Sequence, residues 1–346
     1  MYYARGDVTS RVIVAGPASC QCIIQDYMMK EDGMRIMRVA SSCMIALVFA
    51  SWAWVAHAGT PPLVDVLWIK DNSCKPGVVV LDIRNAITGD SVETYKRGHI
   101  PCAVYSDYIK DNWRVEINGV PGQIPSVKKM ETLIGNLGID NDSYVVIYTA
   151  GQDATDMASA ARVYWTFKVL GHDKESILDG GYAAYAAIDS FPKEKGKRAI
   201  TPKKFTAKLR PEMIPDRQEV VKLLKEGAVA VDNRPSEDYL GVNQGAAKRK
   251  GTIPGAKNLP ESWITVDNGG EFRSKQNLEK LYQAAGIPLK GKIVDFCFEG
   301  HWSSLGWFAT SEILGNKQAV NYGGSFVDWS RDASLPVERH IKIDDY

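Results

Sequence analysis

Residues 295–304 read Asp-Phe-Cys-Phe-Glu-Gly-His-Trp-Ser-Ser. Cys297 closes an apolar run and leads into a short loop of Phe298, Glu299, Gly300, His301, Trp302 and Ser303. Residues 292–296 have the apolar character of a buried strand, and 303–314 place Leu305, Phe308, Ala309 and Ile313 at helical spacing. A cysteine between a strand and a helix sits at the carboxyl end of the strand, where parallel α/β sheets bind ligands. Ser303 or Ser304 is expected to cap the helix. Loop N–H groups and the positive helix end would then face the sulfur, a setting that favours the nucleophilic thiolate. His301 offers a proton donor or a nearby cation, and Gly300 the backbone freedom of a tight loop. The competing reading is a small buried hydrophobe, the common fate of free cysteine, with His301 merely structural. Spacing alone leaves both open.

The elements that must position this loop occur twice. GVVVLDIR (77–84) and GAVAVDNR (227–234) are short strands ending in Asp-x-Arg, with Asp82 and Arg84 matched by Asp232 and Arg234. GHIPCAVY (98–105) corresponds to GTIPGAKN (251–258), DSYVVIYT (142–149) to KGKIVDFC (290–297), and LDGGYAAYA (178–186) to NYGGSFVDW (321–329). Four ordered correspondences at an offset of about 150 residues indicate duplicated domains, since solenoid repeats are much shorter. The segments 126–139 and 274–287 carry apolar residues at helical spacing and end in Gly-Ile. Strands alternating with such helices predict an α/β fold: two domains, each a mainly parallel sheet flanked by helices. The Lys- and Pro-rich stretch 191–204 reads as the linker between domains at 59–190 and 205–346. Thr149 occupies the position of Cys297 in the first half. The same strand is therefore built without cysteine, which argues that packing does not require one.

Net charge is +1, so no global field draws nucleic acid or acidic lipid. The first 58 residues differ in kind. Arg35 and Arg38 precede the apolar run 43–56, and small residues follow at Ala56 and Ala58. This reads as a secretory signal with cleavage after Ala58, the run being short for a bilayer span. Residues 1–33 are unusual ahead of such a signal, and Met34 and Met37 are candidate starts. The expected location is periplasmic or secreted, with no stable membrane insertion once the signal is removed. Cleavage would discard Cys20, Cys22 and Cys43 and leave Cys74, Cys102 and Cys297, an odd number. Cys74 and Cys102 either form a disulfide or remain separate thiols.

The duplicated Asp-x-Arg, the GHIP/GTIP turn, the strand ending in cysteine before a six-residue loop and the later YGGSFVDW resemble the tandem-domain rhodaneses. These are the thiosulfate and 3-mercaptopyruvate sulfurtransferases, here of the exported bacterial type, and the match spans most of residues 62–335. The resemblance implies that only the C-terminal domain is catalytic. Cys297 would accept a sulfane sulfur from a small-molecule donor, become a persulfide, and pass the sulfur to cyanide or a thiol. Glutathione and a thioredoxin-like protein are the expected kinds of thiol partner, with no metal and no organic cofactor. Residues 298–303 would form the substrate-binding loop, with Asp232 and Arg234 in support. Cys102 falls in the turn where a glycine usually stands. Thr149 cannot carry a persulfide, so the first domain would serve to wall the entrance.

Two departures bear on the donor. Thiosulfate-using members carry a cation at the position of Glu299 and an arginine at that of Asp238. Acidic residues there weaken binding of a dianion. His301 would compensate, or Lys248, Arg249 and Lys250 if they reach the site; that run is otherwise a solvated loop. Phe298, Trp302 and Trp307 suit a bulkier sulfur carrier or, for Trp307, the core. A rhodanese-related phosphatase would need arginine six places after the cysteine to grip phosphoryl oxygens; Ser303 stands there. The remaining alternative is a non-enzymatic sulfur-carrier or partner-binding module with a thiol of ordinary reactivity.

Overall fold

The computed structural model describes residues 60–343. The segment read as an export signal lies outside them, as do Cys20, Cys22 and Cys43. The N-terminal half runs β1 (Leu63–Val64), α1 (Val66–Asn72), β2 (Val78–Asp82), α2 (Val92–Arg97), β3 (Val104–Tyr105), β4 (Val115–Ile117), β5 (Val120–Gln123), α3 (Val127–Asn136), β6 (Tyr144–Tyr148), α4 (Ala154–Val169), β7 (Glu175–Leu178) and α5 (Gly181–Ala186). The C-terminal half runs α6 (Arg217–Lys225), β8 (Val229–Asp232), α7 (Ser236–Leu240), β9 (Lys257–Asn258), α8 (Lys275–Ala284), β10 (Ile293–Phe296), α9 (Trp302–Trp307), β11 (Ala319–Asn321) and α10 (Ser325–Arg331).

Each half forms a parallel sheet, in the order β1-β7-β6-β2-β3 and then β11-β10-β8-β9. β4 and β5 make a separate antiparallel hairpin. The central strands are continuous apolar runs because helices cover both faces of a parallel sheet. β6 and β10 accordingly have almost no exposed residue. The repeated Asp-x-Arg closes the same joint twice. Arg84 Nη2 donates to Asp82 Oδ2 at 2.7 Å and to the Gly98 carbonyl at 2.8 Å. Arg234 Nη2 does so to Asp232 Oδ2 at 2.6 Å and to the Gly251 carbonyl at 2.7 Å. Each pair is buried, its charge matched and its donors used, as a buried ion pair requires.

The helices at 126–139 and 274–287 appear as α3 and α8, each burying one face, through Met130 and Ile134 or Leu278 and Tyr282. α4 differs, being buried almost throughout its length. It packs between the two halves, where the Tyr164 ring meets Phe308 edge-on at 4.9 Å. The linker stretch is mostly exposed. Cys74, just past α1, and Cys102, before β3, form a disulfide with Cα atoms 5.3 Å apart. That resolves the alternative left open by the sequence, and Cys297 is the free cysteine among the described residues.

Candidate active site

β10 delivers Cys297 to the carboxyl edge of the second sheet, as its apolar run implies, and the thiol is buried. The turn that follows is held from behind by Ser325. Its Oγ accepts the amides of Cys297 (3.1 Å) and Gly300 (3.0 Å), donates to the Tyr322 carbonyl (2.7 Å), and lies 3.9 Å from Cys297 Sγ. Ser325 sits at φ +52, a left-handed conformation that costs a non-glycine residue about 1–3 kcal/mol and is typical of functional sites. The Phe326 amide donates to the Cys297 carbonyl at 2.9 Å, which seats α10 against the loop. Gly300 has φ +73, and a Cβ there would meet the Gly323 carbonyl oxygen at 2.7 Å and Arg162 Nη1 at 2.8 Å. No larger residue fits.

The N-terminal half fixes the remainder of the loop. Arg162 of α4 donates from Nη1 to the Gly300 carbonyl (2.9 Å) and from Nη2 to the Gly122 carbonyl (2.6 Å). His301 bridges to the same half. Its Nε2 lies 2.9 Å from the Thr155 carbonyl, which can only accept, so Nε2 carries the hydrogen and Nδ1 accepts from Tyr108 Oη at 2.9 Å. Burial, reinforced by Arg114 and Arg162, pushes the His301 pKa down to about 3. The expectation of a proton donor or cation there is thus corrected: the ring is neutral and both nitrogens are engaged. Trp302 Nε1 donates to Thr155 Oγ1 at 3.1 Å. Glu299 faces Arg114 at 3.7 Å.

A cavity of about 280 Å³ opens over the sulfur, lined by Cys297, Phe298, Glu299, His301 and Trp302 with Ile87, Arg114, Thr155 and Ala246. Its walls are chiefly apolar, and Arg114 and Glu299 are its charged residues. Sequence reasoning placed Cys297, Phe298, Glu299, His301 and Trp302 here but missed Ala246 of the same half and Ile87, Arg114 and Thr155. The last three come from the other half, and no spacing pattern marks any of the four. Ser325 lay within the quoted YGGSFVDW and was legible only as a family motif.

Several expected placements differ. The serine cap is not made: α9 begins after His301 in helical conformation, Ser303 Oγ donates to Asn321 Oδ1 (2.7 Å), and Ser304 Oγ donates to the Gly300 carbonyl (2.7 Å). The amides of Cys297 and Gly300 turn to Ser325 rather than to the sulfur. Lys248, Arg249 and Lys250 do not line the cavity. The Lys248 amide donates to Ser330 Oγ, and the Arg249 guanidinium holds the carbonyls of Ser330, Asp332 and Leu335. Asp232 and Arg234 sit behind the site, with the Arg234 guanidinium 5.0 Å from the Phe298 ring centre. Asp238 is buried in α7, and that burial raises its pKa. Trp307 is core, its indole N–H given to the Ala319 carbonyl at 3.1 Å. Among the described residues one group has metal-ligand spacing, Cys74, Cys102 and Glu194, but its two sulfurs are joined to each other.

The corresponding place in the first half is closed. Thr149 is fully buried, and the Asp156 carboxylate accepts the amides of Gly151 and Gln152. An acidic side chain therefore occupies the turn that a sulfur ligand would need.

Residues 65–188 and 216–332 each match the Rhodanese-like domain. A putative thiosulfate sulfurtransferase of Haloferax volcanii is 33% identical over 264 residues, covering 71% of this chain and 85% of that protein. The sulfur carrier protein TtuD of Thermus thermophilus is 30% identical, covering 82% of this chain and 99% of its own length. Among solved structures, the 3-mercaptopyruvate sulfotransferase SseA of Escherichia coli superposes with a TM-score of 0.67 at 24% identity, over 77% of this chain and 99% of that one. Tum1 of Saccharomyces cerevisiae gives 0.68 at 19%, over 82% and 99%. At those identities the two structures speak for the fold.

Proposed function

The chain belongs to the rhodanese family, as a tandem-domain member, and on that footing we propose that it is a sulfurtransferase working through a persulfide on Cys297. The observation that carries this reading is the placement of Cys297: a free thiol at the end of β10, under a cavity, on a turn braced by both halves. The Cys297 thiolate attacks the outer sulfur of the donor and forms a new S–S bond. The bond joining that sulfur to the donor breaks, and its electron pair leaves with the donor fragment, as sulfite if the donor is thiosulfate. An acceptor thiolate or cyanide then attacks the outer persulfide sulfur, and the electron pair of the breaking S–S bond returns to Cys297. Two relatives, named for thiosulfate sulfurtransfer and for sulfur carriage, support sulfur handling in both steps.

In this reading residues 205–346 form the catalytic domain, and residues 59–190 form a non-catalytic partner whose Arg114 and Thr155 complete the cavity. The acceptor is a small thiol such as glutathione or an exposed cysteine of a thioredoxin-like protein. We place the protein outside the cytosol; the Cys74–Cys102 disulfide supports an oxidising compartment. Sequencing the N-terminus of protein from its native host tests that placement, since a start well upstream of Gly59 contradicts it.

The activity test is intact-mass measurement after incubation with thiosulfate, 3-mercaptopyruvate or glutathione persulfide. The expected result is one added sulfur, removed by cyanide and missing in Cys297→Ser. No added sulfur with any of the three donors would overturn the reading.

A further inference from the structure

Behind the Cys297 loop, between β5 and the chain entering α6, lies a second and smaller cavity of about 120 Å³. Gly122 and Gly323 form part of its wall, Ile124, Ile214 and Pro215 make it largely apolar, and its outer rim is the exposed Ile117. Arg162 and Trp165, one turn apart on α4, both line it. The guanidinium lies over the indole with its central carbon 4.4 Å from the ring centre. Both residues are essentially fully buried. Arg162 Nε and Trp165 Nε1 are buried donors that make no hydrogen bond to any described protein atom.

The charge balance is the decisive feature. The guanidinium is bonded to two neutral carbonyls, those of Gly300 and Gly122, and no carboxylate lines the cavity. Arg114 opposes its charge, and only the ionised forms of Tyr108 and Cys297 favour it. Burial pushes the Arg162 pKa down to about 10, so it remains a cation at neutral pH. A buried cation with no carboxylate against it is destabilising, and each unmade buried donor adds to that cost. A water can satisfy the two donors but cannot offset the charge; an anion does both. The size of the cavity limits which anion. It is less than half the size of the cavity over Cys297, which suits a small ion with a few waters better than a large one. Its apolar walls favour an ion that gives up hydration easily.

We propose that this cavity is a binding site for a small, weakly hydrated inorganic monoanion, such as chloride or bromide, held by Arg162 Nε and Trp165 Nε1. The site is distinct from the cavity over Cys297.

Bromide is the probe. Crystals of the purified protein grown or soaked in sodium bromide, with data collected at the bromine edge, are expected to give an anomalous peak in contact with both nitrogens. Density there without anomalous signal would mean water only and would overturn the proposal. In solution, thermal unfolding is followed while bromide replaces fluoride at constant ionic strength. A saturable rise in Tm is expected, with half-saturation moved at least about tenfold higher in Trp165→Phe, which keeps the ring and removes the N–H. A monotonic fall in Tm, or a rise of equal affinity in Trp165→Phe, would count against it. Persistence of the effect in Cys297→Ser is expected, because the thiolate is not the ligand.

Discussion

Arg162 Nη1 donates to the Gly300 carbonyl at 2.9 Å, so a helix of the half that carries Thr149 at the matching strand end holds the turn that follows Cys297 in the other. Tyr108 and Thr155 hold His301, and Thr155 also holds Trp302. The first domain therefore shapes the loop as well as walling the cavity. Arg162→Met removes two charge-assisted bonds in a fully buried setting. We expect a stability loss of about 3 kcal/mol or more and sulfur loading of Cys297 slowed at least tenfold. Arg162→Lys is expected to recover little of either, because a single ammonium cannot span two carbonyls in the guanidinium geometry. Denaturant unfolding and the rate of persulfide formation by mass measure the two effects.

The first domain should not become a second active site. Thr149→Cys supplies the missing sulfur atom at the matching strand end, but Asp156 already occupies the amides of Gly151 and Gln152. A thiolate there would also face that carboxylate. The expected intact mass after donor treatment is a single added sulfur per chain, on Cys297. Two added sulfurs would show that the turn accepts an anion despite Asp156.

How much of this was readable beforehand follows from the range of the interactions. The strands, the helices α3 and α8, and the position of Cys297 depend on local periodicity and on a repeat, both written along the chain. The buried Asp-x-Arg joints are local as well, with Arg84 and Arg234 two residues from their carboxylates. Arg114, Thr155 and Arg162 are not, because they reach the site across the domain interface. Arg162 is 138 residues from the glycine it holds. His301 was misread for a related reason: its type and spacing suit a proton donor, but its burial against the other half makes it neutral. The serines after it were read as caps, whereas their nearest acceptors are Asn321 and Gly300.

The neutral state of His301 sets a pH dependence. Its pKa is about 3 in the fold and about 6.5 in an unfolded chain. The unfolded state therefore takes up a proton first as pH falls, and binds more protons than the native state between those values. Stability falls with decreasing pH across that window, by at most about 1.4 kcal/mol per unit. His301→Gln removes this contribution while keeping a polar side chain. Subtracting its unfolding free energy from that of the parent at pH 7 and at pH 4.5 isolates the effect from other titrating groups. The parent should lose more stability on acidification than the variant. Equal losses would mean that His301 is not buried neutral.

Donor preference is expected to turn on Glu299. Its carboxylate lies 3.7 Å from Arg114, and these are the two charged side chains lining the cavity over Cys297. In the free protein the pair is neutral, so Arg114 is partly masked and Glu299 repels a dianion. Glu299→Gln leaves the shape nearly unchanged, removes the repulsion and frees the guanidinium. Both groups are partly exposed, so solvent screening limits the gain to about 1 kcal/mol. That corresponds to roughly a fivefold increase in kcat/KM for thiosulfate. The change should appear mainly in KM, since a charge that attracts the whole donor acts on ground state and transition state alike. A monoanionic donor should gain less than thiosulfate, and the difference should shrink as salt is added. Steady-state kinetics with thiosulfate and 3-mercaptopyruvate at two ionic strengths measure all three expectations. An unchanged or reduced kcat/KM for thiosulfate in Glu299→Gln would show that the carboxylate does not set donor preference.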